Sequence, residues 1–373
     1  MITEHQTHFA DARMMSDVAT QSVHLVVTSP PYPMIEMWDD QFQRDAAVRA
    51  ALQGLSGPRA FELMHRQLDR VWDEVNRVLV PGGIACINIG DATRTLGDEF
   101  ALYPNHSRVI SHLLSLGLTT LPHILWRKQT NAPNKFMGSG MMPPGAYVTL
   151  EHEYILIFRK GGKRQFASET QKNGRRQSAF FWEERNGWFS DVWMDLKGTR
   201  QKTADERLRK RSAAYPFELA YRLICMFSVM GDTVLDPFLG TGTTLFAAAA
   251  AGRNSLGYEL DPAFRFLIDQ GWQQSLAQSH HRISGRLEGH LQFIRDRQAA
   301  GKIIKYTNQV YGFPVMTRQE TALMLPCPRT IEPGRANHIR VTYETPVEST
   351  SGRPAAIPDP PPLTQPSQLQ LFA

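Results

Sequence analysis

Two short segments of the chain carry residue types that could do chemistry on a ligand. The first is Thr28-Ser29-Pro30-Pro31-Tyr32, which follows an apolar run over residues 23–27. Two consecutive prolines fix φ twice and remove two N–H donors, so the loop is rigid and exposes carbonyl oxygens. It suits a planar substrate with an exocyclic amino group: Ser29 Oγ and the Pro30 carbonyl can accept the N–H bonds while Tyr32 stacks on the ring. The alternative is a structural turn whose Tyr32 packs in the core.

The second segment is the glycine-rich turn Asp236-Pro237-Phe238-Leu239-Gly240-Thr241-Gly242-Thr243, which precedes an alanine-rich helical stretch. Glycines let the backbone turn tightly and approach a ligand, and a helix N-terminus offers unpaired N–H groups. Glu259 ends the next predicted strand, 23 residues after Asp236, where nucleoside-binding folds hold ribose hydroxyls. The combination favours a nucleoside cofactor over a purely structural turn. The Gly-Lys-Ser/Thr of a Walker A loop and the GxGxxG fingerprint are both absent.

Both segments need an α/β fold to bring them together. Apolar runs predict strands over residues 23–27, 84–89, 121–126, 154–158, 233–235 and 255–258. Helical spacing predicts helices over residues 61–79, 107–116, 217–230 and 243–251, with another beginning after about residue 263. We expect Pro81-Gly82-Gly83 to stop the first helix. This alternation predicts an α/β class with a doubly wound, mostly parallel sheet, which binds ligands at the carboxyl ends of its strands.

Composition divides the chain further. Residues 1–158 and 212–275 are the two halves of the α/β domain, residues 159–211 form an insertion, and we assign no role to residues 276–344. The Pro/Ser/Gln-rich stretch 345–373 is expected to be disordered. The whole chain has 41 Lys/Arg and 36 Asp/Glu, whereas residues 159–211 have fifteen Lys/Arg and seven Asp/Glu, interleaved with aromatic residues. This insertion is therefore the candidate surface for an anionic partner.

Other classes of protein are disfavoured. No apolar run approaches the roughly 18 residues of a membrane helix, and the N-terminus lacks the apolar stretch of a signal peptide. The three cysteines are far apart, and no paired Cys/His spacing predicts a zinc site or a disulfide framework. We expect a cytoplasmic protein without a metal.

The two segments together resemble a known family. Thr-Ser-Pro-Pro-Tyr at 28–32 and Asp-Pro-Phe-Leu-Gly-Thr-Gly-Thr-Thr at 236–244 are similar to motifs of the S-adenosylmethionine-dependent amino-methyltransferases of DNA. A leading serine is typical of the cytosine-N4 enzymes, whereas adenine-N6 enzymes more often carry Asp or Asn there. The catalytic motif precedes the cofactor motif, the permuted order of the family's β class. Weaker matches lie at Asn88-Ile-Gly-Asp91, Trp126-Arg-Lys128 and His152-Glu153, and before the cofactor strand Arg211 and Ser212 replace the family's His and Pro.

The resemblance implies a Rossmann-like methyltransferase fold, S-adenosyl-L-methionine as cofactor, and residues 159–211 as an inserted target-recognition region for double-stranded DNA. It also implies functional pairing with a cognate restriction endonuclease. The implied catalytic residues are Ser29, Pro30, Pro31 and Tyr32. The implied cofactor-binding residues are Asp11, Asp236, Pro237, Phe238, Gly240, Gly242, Thr243 and Glu259. The implied DNA-binding residues are Arg175, Arg176, Arg207, Arg209, Lys210 and Arg211.

The resulting hypothesis is site-specific methylation of the exocyclic N4 of a flipped-out cytosine, as the modification enzyme of a restriction-modification system. Adenine-N6 methylation is the main alternative, because the same loop geometry serves either amine. Methylation of RNA or of a protein amide is a weaker one, and a DNA-binding module with an inactive fold is more distant. Asp11 either approaches the adenine edge of the cofactor or is a helix-start acid, and Asp91 either joins the site or caps the following turn.

Overall fold

The computed structural model describes residues 1–128, 137–198, 215–334 and 337–344. Within them the strands are β1 (Ile2–His8), β2 (Val23–Thr28), β3 (Leu79–Ile89), β4 (Ala92–Leu96), β5 (Glu99–Tyr103), β6 (Leu118–Arg127), β7 (Met137–Gly138), β8 (Ala146–Tyr147), β9 (His152–Lys160), β10 (Val192–Trp193), β11 (Thr233–Asp236), β12 (Asn254–Tyr258), β13 (Tyr306–Thr307), β14 (Pro314–Val315), β15 (Cys327–Pro333) and β16 (His338–Glu344). The α-helices are α1 (Asp39–Phe42), α2 (Ala46–Gln53), α3 (Gly57–Val78), α4 (Asn105–Ser115), α5 (Glu169–Gln177), α6 (Trp182–Trp188), α7 (Phe217–Phe227), α8 (Thr243–Ala250) and α9 (Arg265–Ala299). None of these helices is both long and apolar enough to cross a membrane.

Ten strands form one sheet, in the order β10-β6-β9-β3-β2-β11-β12-β1-β16-β15. The five central strands from β3 to β1 run parallel to one another. β9 is antiparallel to both of its neighbours, and so is β16. The predicted α/β class with a mostly parallel sheet is confirmed. The carboxyl ends of the five parallel strands share one edge of the sheet, which is called the carboxyl edge below.

Helices cover both faces of this sheet. Successive side chains of a strand point to opposite sides, so apolar side chains on both faces must be buried. Val26 belongs to a core cluster with Met64 and Trp72 of α3. Val27, its neighbour in β2, belongs to a second cluster with Tyr221 of α7 and alanines of α8. Both clusters are buried, so the sheet is doubly wound as predicted.

The structure corrects one predicted boundary. We expected Pro81-Gly82-Gly83 to separate a helix from a strand beginning at Ile84, but β3 already begins at Leu79 and contains this segment. Gly82 has a φ of +81°, which glycine adopts without a Cβ clash. The pairing of β3 with β2 shifts register between Val23 and Leu25. The glycine therefore lets β3 accommodate extra residues at an irregularity in its pairing with β2. It does not mark the start of the strand, contrary to the prediction.

The described part of the insertion, residues 159–198, packs partly on the long helix α9 and partly on the main sheet. Phe181 and Trp193 are 0% and 1% exposed, and β10 adds to the edge of the main sheet beside β6. Glu184 of α6 forms a two-hydrogen-bond ion pair with Arg286 of α9, at 2.6 Å for both bonds, and the Arg286 side chain is only 3% exposed. Much of this segment therefore serves the core.

A second contact between the same helices involves His290 of α9. Its Nδ1 lies 2.8 Å from Glu183 Oε1, and its Nε2 lies 3.0 Å from the Pro314 carbonyl oxygen. Burial lowers the pKa of His290, but the hydrogen bond and charge of Glu183 raise it above its usual value overall. Glu183, His290 and Glu320 have ligand-type atoms within 4.8 Å of one another. Both ring nitrogens of His290 face acceptors, so this side chain links α9 to α6 and to the segment that contains Pro314.

Candidate functional site

A cavity of about 450 Å³ opens near the carboxyl edge, where the segments after β1, β2, β11 and β12 meet. Ten of the predicted catalytic and cofactor residues line it: Asp11, Ser29, Pro30, Pro31, Asp236, Pro237, Phe238, Gly240, Thr243 and Glu259. Its lining also includes side chains that the sequence did not single out, among them Phe42 of α1, Gln67 of α3 and Phe264. Sheet topology thus brings two segments together that lie about 200 residues apart in the chain.

Asp236, at the end of β11, is 2% exposed and accepts four hydrogen bonds from the protein. Its Oδ1 accepts from Thr28 Oγ1 at 2.6 Å and from the Phe238 backbone N–H at 3.0 Å. Its Oδ2 accepts from Thr244 Oγ1 at 2.5 Å and from the Tyr215 hydroxyl at 3.2 Å. Burial raises its pKa despite these donors. The carboxylate therefore joins β2, β11 and α8 and shapes the floor of the cavity.

Glu259 follows β12 and braces the glycine turn. Its Oε2 accepts from the Gly240 backbone N–H at 2.8 Å, and its Oε1 accepts from the Asp261 N–H at 2.8 Å. Burial raises the pKa of this carboxyl above its usual range. Each carboxylate oxygen has a further lone pair. The side chain can thus hold the turn and still accept a hydrogen bond from a ligand in the cavity.

The two glycines of the turn have different roles. Both have positive φ values, +56° for Gly240 and +90° for Gly242. A Cβ at Gly240 would meet no atom within 4 Å, whereas one at Gly242 would lie 2.9 Å from the Phe246 ring. Gly240 therefore presents bare backbone to open space, while Gly242, which caps α8 and does not line the cavity, allows close packing.

Asp11 opens a turn after β1, and no helix begins there. Arg13 donates to it from its backbone N–H at 2.9 Å and from its guanidinium at 2.5–3.0 Å. Burial raises the pKa of Asp11, but the hydrogen bonds and charge of Arg13 lower it by more. The pKa of Asp11 therefore lies below its usual value. The alternative interpretation of Asp11 as a helix-start acid does not match this loop. Its role toward a cofactor stays a prediction.

Tyr32 lies behind the cavity wall rather than on it. Its ring packs against the α3 core cluster, and it is not among the lining residues. Its hydroxyl lies 3.0 Å from Ser29 Oγ, donates to Glu153 Oε2 at 2.9 Å and accepts from Asn88 Nδ2 at 2.9 Å. Burial and the negative charge of Glu153 raise the pKa of Tyr32 well above its usual value, so the phenol stays protonated. Stacking of Tyr32 on a base stays a prediction.

The sequence indicated three partners of this group only as weak motif matches, without assigning them roles. Asn88 lies on β3, Glu153 on β9, and Lys128 directly after β6. Asn88 Nδ2 donates to Glu153 Oε2 at 2.6 Å, and Lys128 Nζ donates to Glu153 Oε1. These strands are neighbours in the sheet, which explains a meeting that sequence spacing cannot show.

Asp91 does not join this group. Its Oδ1 accepts from the His106 backbone N–H at 3.1 Å, and it also pairs with the His106 ring at 2.8 Å. Both contacts lie in the first turn of α4. Asp91 therefore contacts the first turn of α4, which lies beyond β4 and β5. The prediction places its capping role at the turn directly after it.

Of the predicted DNA-binding residues, the structure describes Arg175 and Arg176, and neither lines the cavity. Arg175 and Arg176 are exposed near the end of α5. Ser178, next to that helix, accepts from the Met230 N–H at 2.8 Å, three residues before β11 begins. The pair thus lies near the amino-terminal end of that strand, opposite the carboxyl edge. Arg207, Arg209, Lys210 and Arg211 lie outside the described residues.

Comparisons with known proteins converge on one family. A family model for N6/N4 DNA methylases matches residues 23–268. The type II methyltransferase M.MthZI of Methanothermobacter thermautotrophicus is 52% identical over 346 residues, 92% of this chain and 96% of the relative. M.MjaI of Methanocaldococcus jannaschii, also a type II methyltransferase, is 49% identical over 72% of this chain and 91% of its own.

A solved structure agrees with these relatives. A Thermus thermophilus protein described as a candidate DNA modification methylase, solved in complex with S-adenosyl-L-methionine, aligns with a TM-score of 0.57 at 34% identity. The alignment covers 73% of this chain and 95% of the other.

Proposed function

The chain belongs to the N6/N4 DNA methylase family, and from that premise we propose that it transfers a methyl group from S-adenosyl-L-methionine to N4 of a cytosine in duplex DNA. The observation that carries the proposal is the position of Ser29, Pro30 and Pro31 on the wall of the cavity that the glycine turn also lines. The relatives' description as type II methyltransferases supports a further proposal, that the protein is the modification enzyme of a restriction-modification pair.

The cavity fits the proposed cofactor. Gly240 leaves open space beside its backbone, and Glu259 has lone pairs to spare for ribose hydroxyls. Phe238 and Pro237 supply an apolar wall, and Asp236 keeps the turn in place. When bound, S-adenosyl-L-methionine supplies a methyl carbon that forms a bond to the target nitrogen as its bond to sulfur breaks and the electron pair stays on sulfur. The residues of this chain hold the cofactor and prepare the nitrogen.

The catalytic loop prepares the nitrogen by accepting its hydrogens. The lone pair of an exocyclic amine on a base is delocalised into the ring, so the nitrogen is a poor nucleophile. Ser29 Oγ and the Pro30 carbonyl, placed around its two hydrogens, favour a pyramidal nitrogen and stabilise the positive charge that develops on it. This is electrostatic stabilisation directed at the transition state. The methylated nitrogen then releases one proton to water and becomes neutral.

The choice of cytosine over adenine rests on Ser29, since serine at this position is typical of cytosine-N4 enzymes. Adenine-N6 methylation uses the same acceptors and is the second candidate, because the family contains both kinds of enzyme. Either target base lies inside the duplex and must leave the stack, which costs a few kcal/mol. We propose that the base enters the cavity from the carboxyl edge.

We also propose that DNA contacts the basic run Arg207, Arg209, Lys210 and Arg211. The described residues on either side of that run lie at the carboxyl edge. The Leu196 carbonyl accepts from Trp126 Nε1 at 2.9 Å near the end of β6, and the Tyr215 hydroxyl contacts Asp236. DNA held at this edge would present a base to the cavity.

The test is to incubate the protein with unmethylated genomic DNA and isotopically labelled S-adenosyl-L-methionine, and then to identify methylated nucleosides by mass spectrometry. We expect N4-methylcytosine. Ser29→Ala deletes one acceptor beside the amine and should lower the single-turnover rate about 10²–10³-fold, while the cofactor affinity stays unchanged. Labelled N6-methyladenine without N4-methylcytosine would refute the choice of base, and no labelled nucleoside at all would refute the activity.

A further inference from the structure

The group behind the catalytic loop contains one feature that the proposed reaction has not used, a carboxylate from a neighbouring strand. Glu153 contacts no cavity-lining catalytic residue directly. It reaches Ser29 only through Tyr32, with distances of 2.9 Å from Glu153 to Tyr32 and 3.0 Å from Tyr32 to Ser29. Since the Glu153 side chain is 14% exposed, the protein supplies most of its hydrogen-bond partners.

The direction of these hydrogen bonds follows from what each group can donate. An ionised carboxylate only accepts, so every group that faces Glu153 must donate to it. Asn88 donates from Nδ2, Lys128 from its ammonium group, and Tyr32 from its hydroxyl. Asn88 Oδ1, by contrast, is buried without a partner. The two donations from Nδ2 fix the orientation of the Asn88 amide, and the oxygen is left without a partner as a result.

The hydrogen bonds of Tyr32 determine which way the Ser29 hydroxyl points. Tyr32 has a single O–H proton, which Glu153 accepts, so the Tyr32 oxygen can only accept from its other two partners. Asn88 Nδ2 is one of those partners, at 2.9 Å. The Ser29 hydroxyl is the other, and must therefore donate its own proton to Tyr32. The Ser29 oxygen, which lines the cavity, is left with lone pairs alone.

We infer that Glu153, acting through Tyr32, is a positioning residue that makes Ser29 an acceptor and thereby selects an exocyclic amino group as the target. This inference rests on the proposed function and deepens it. A serine hydroxyl by itself donates or accepts equally well, so it does not distinguish an amino group from a carbonyl. With its proton held by Tyr32, Ser29 accepts the N–H of cytosine or adenine and repels the carbonyl oxygen of thymine.

Close packing maintains this arrangement. A Cβ at Gly90 would lie 3.1 Å from Tyr32 Cε2 and 3.3 Å from Glu153 Cγ, so the glycine lets both side chains approach the end of β3. Four neighbouring strands contribute to the group: β2 leads to Ser29 and Tyr32, β3 carries Asn88, β9 carries Glu153 and β6 leads to Lys128. The direction of these hydrogen bonds, called their polarity below, is thus set by the sheet and not by the loop alone.

Glu153→Gln is the decisive substitution, because it should reverse the direction of the hydrogen bonds between residue 153, Tyr32 and Ser29. The carbonyl oxygen of the new amide side chain would face the Lys128 ammonium group, which turns the amide N–H groups toward Tyr32. These N–H groups would also displace Asn88 Nδ2, which in the wild type donates to the same Glu153 oxygen at 2.6 Å. Tyr32 would lose the acceptor of its proton and donate to Ser29, so the Ser29 proton would point into the cavity against the N–H of the amine. We expect the single-turnover rate of methyl transfer to fall by about tenfold or more, with cofactor affinity unchanged.

Glu151→Gln is the matched control. Glu151 lies two residues away and pairs at 3.0 Å with Arg127, and neither side chain contacts Tyr32. The substitution removes one carboxylate charge from the same part of the chain, so its rate should stay within about twofold of wild type. A loss caused by charge alone would appear in both variants.

Tyr32→Phe separates polarity from structure. It removes the oxygen that transmits the effect, so Ser29 becomes free to rotate and the rate should fall less than in Glu153→Gln. In the double variant Tyr32→Phe/Glu153→Gln the rate should return to that of Tyr32→Phe, since no hydroxyl remains to force the wrong orientation. In a Ser29→Ala background, Glu153→Gln should have no further effect. A merely structural role for Glu153 predicts instead that the double variant is the slowest.

A spectroscopic measurement tests the same inference without any activity. In protein labelled with ¹³C at tyrosine Cζ, the Tyr32 resonance is identified by its absence in Tyr32→Phe. It should shift in Glu153→Gln, where the phenol changes its acceptor, and remain in place in Glu151→Gln. An unmoved resonance, a Glu153→Gln rate within twofold of wild type, or a double variant slower than both singles would overturn the inference. Failure of the wild type to methylate DNA would instead refute the proposed function, and the resonance would still test the polarity.

Discussion

The cavity and the described part of the insertion, residues 159–198, use charged and aromatic side chains in opposite ways. Around the cavity, Glu259 and Asp236 hold the backbone and hydroxyls of nearby turns, and Ser29 keeps lone pairs toward open space. In the insertion, Glu184 forms an ion pair with Arg286, and the aromatic rings of Phe181 and Trp193 are buried. Both regions had the composition of a ligand-binding surface. Within the described residues, the cavity keeps acceptors that face open space, whereas these three side chains of the insertion are used in packing.

The difference shows which sequence signals depend on context. A motif directly after a buried strand has its location fixed by the sheet, since the ends of parallel strands meet at one edge. A stretch of basic and aromatic residues has no such constraint, because its partner can be any complementary surface. For α6 that surface is α9, about 100 residues further along the chain, and for β10 it is the edge of the main sheet.

The largest expected effect concerns the docking of the insertion. Arg286→Met should lower the free energy of unfolding by about 3–5 kcal/mol, because it leaves the Glu184 charge buried without a partner. Urea unfolding followed by circular dichroism measures this. The double variant Glu184→Gln/Arg286→Met, which removes both charges, should recover most of the loss.

Arg295→Met is the control on the same helix. Arg295 is exposed and, within the described part of the chain, hydrogen-bonds to Gln292 one turn earlier, so we expect a change within about 0.5 kcal/mol. An Arg286→Met protein as stable as the control would show that the insertion is not held by this pair, and would weaken the contrast between the two regions.

The next effect concerns the cavity. Glu259→Ala removes the acceptor for a ribose hydroxyl and the acceptor of the Gly240 N–H. S-adenosyl-L-methionine should therefore bind at least about tenfold more weakly, roughly 1.4 kcal/mol in binding free energy. Isothermal titration calorimetry on the folded variant measures the affinity. Glu332→Ala, at an exposed position of β15, should leave it unaltered. Equal affinities in both variants would mean that the cofactor does not use this carboxylate.

The smallest effect concerns DNA. Neutralising Arg207, Arg209, Lys210 and Arg211 should flatten the salt dependence of DNA affinity, by about 0.9 in the log–log slope for each phosphate that the variant no longer neutralises. Neutralising Arg175 and Arg176 should leave the slope unchanged, because their position does not favour contact with DNA whose base enters the cavity. Fluorescence anisotropy at several salt concentrations compares the two sets. A flatter slope for the pair and not for the run would reverse this assignment.

Prediction from sequence succeeded where hydrophobic periodicity was strong. The helix predicted over 61–79 is α3, Gly57–Val78, whose buried residues recur every three or four positions. It did not identify β1, which has no apolar pattern because its inward side chains are polar. Thr3 and His5 are buried there and hydrogen-bond to Tyr343 and Ser255. Such a strand is stable only beside β12 and β16, and no local signal records those neighbours.

By itself the sequence determined the α/β alternation, the family and the two motifs that line the cavity, since each depends on residues close together in the chain. The tertiary structure decided which groups surround them. It placed Glu153, Asn88 and Lys128 behind Tyr32 and gave Asp236 its four donors. It also buried three aromatic residues of the insertion, Phe181, Trp188 and Trp193. These contacts join residues on different strands and helices, and their strength depends on burial and on the direction of each hydrogen bond. Only the folded sheet sets those two quantities, because neither exists until distant segments are side by side.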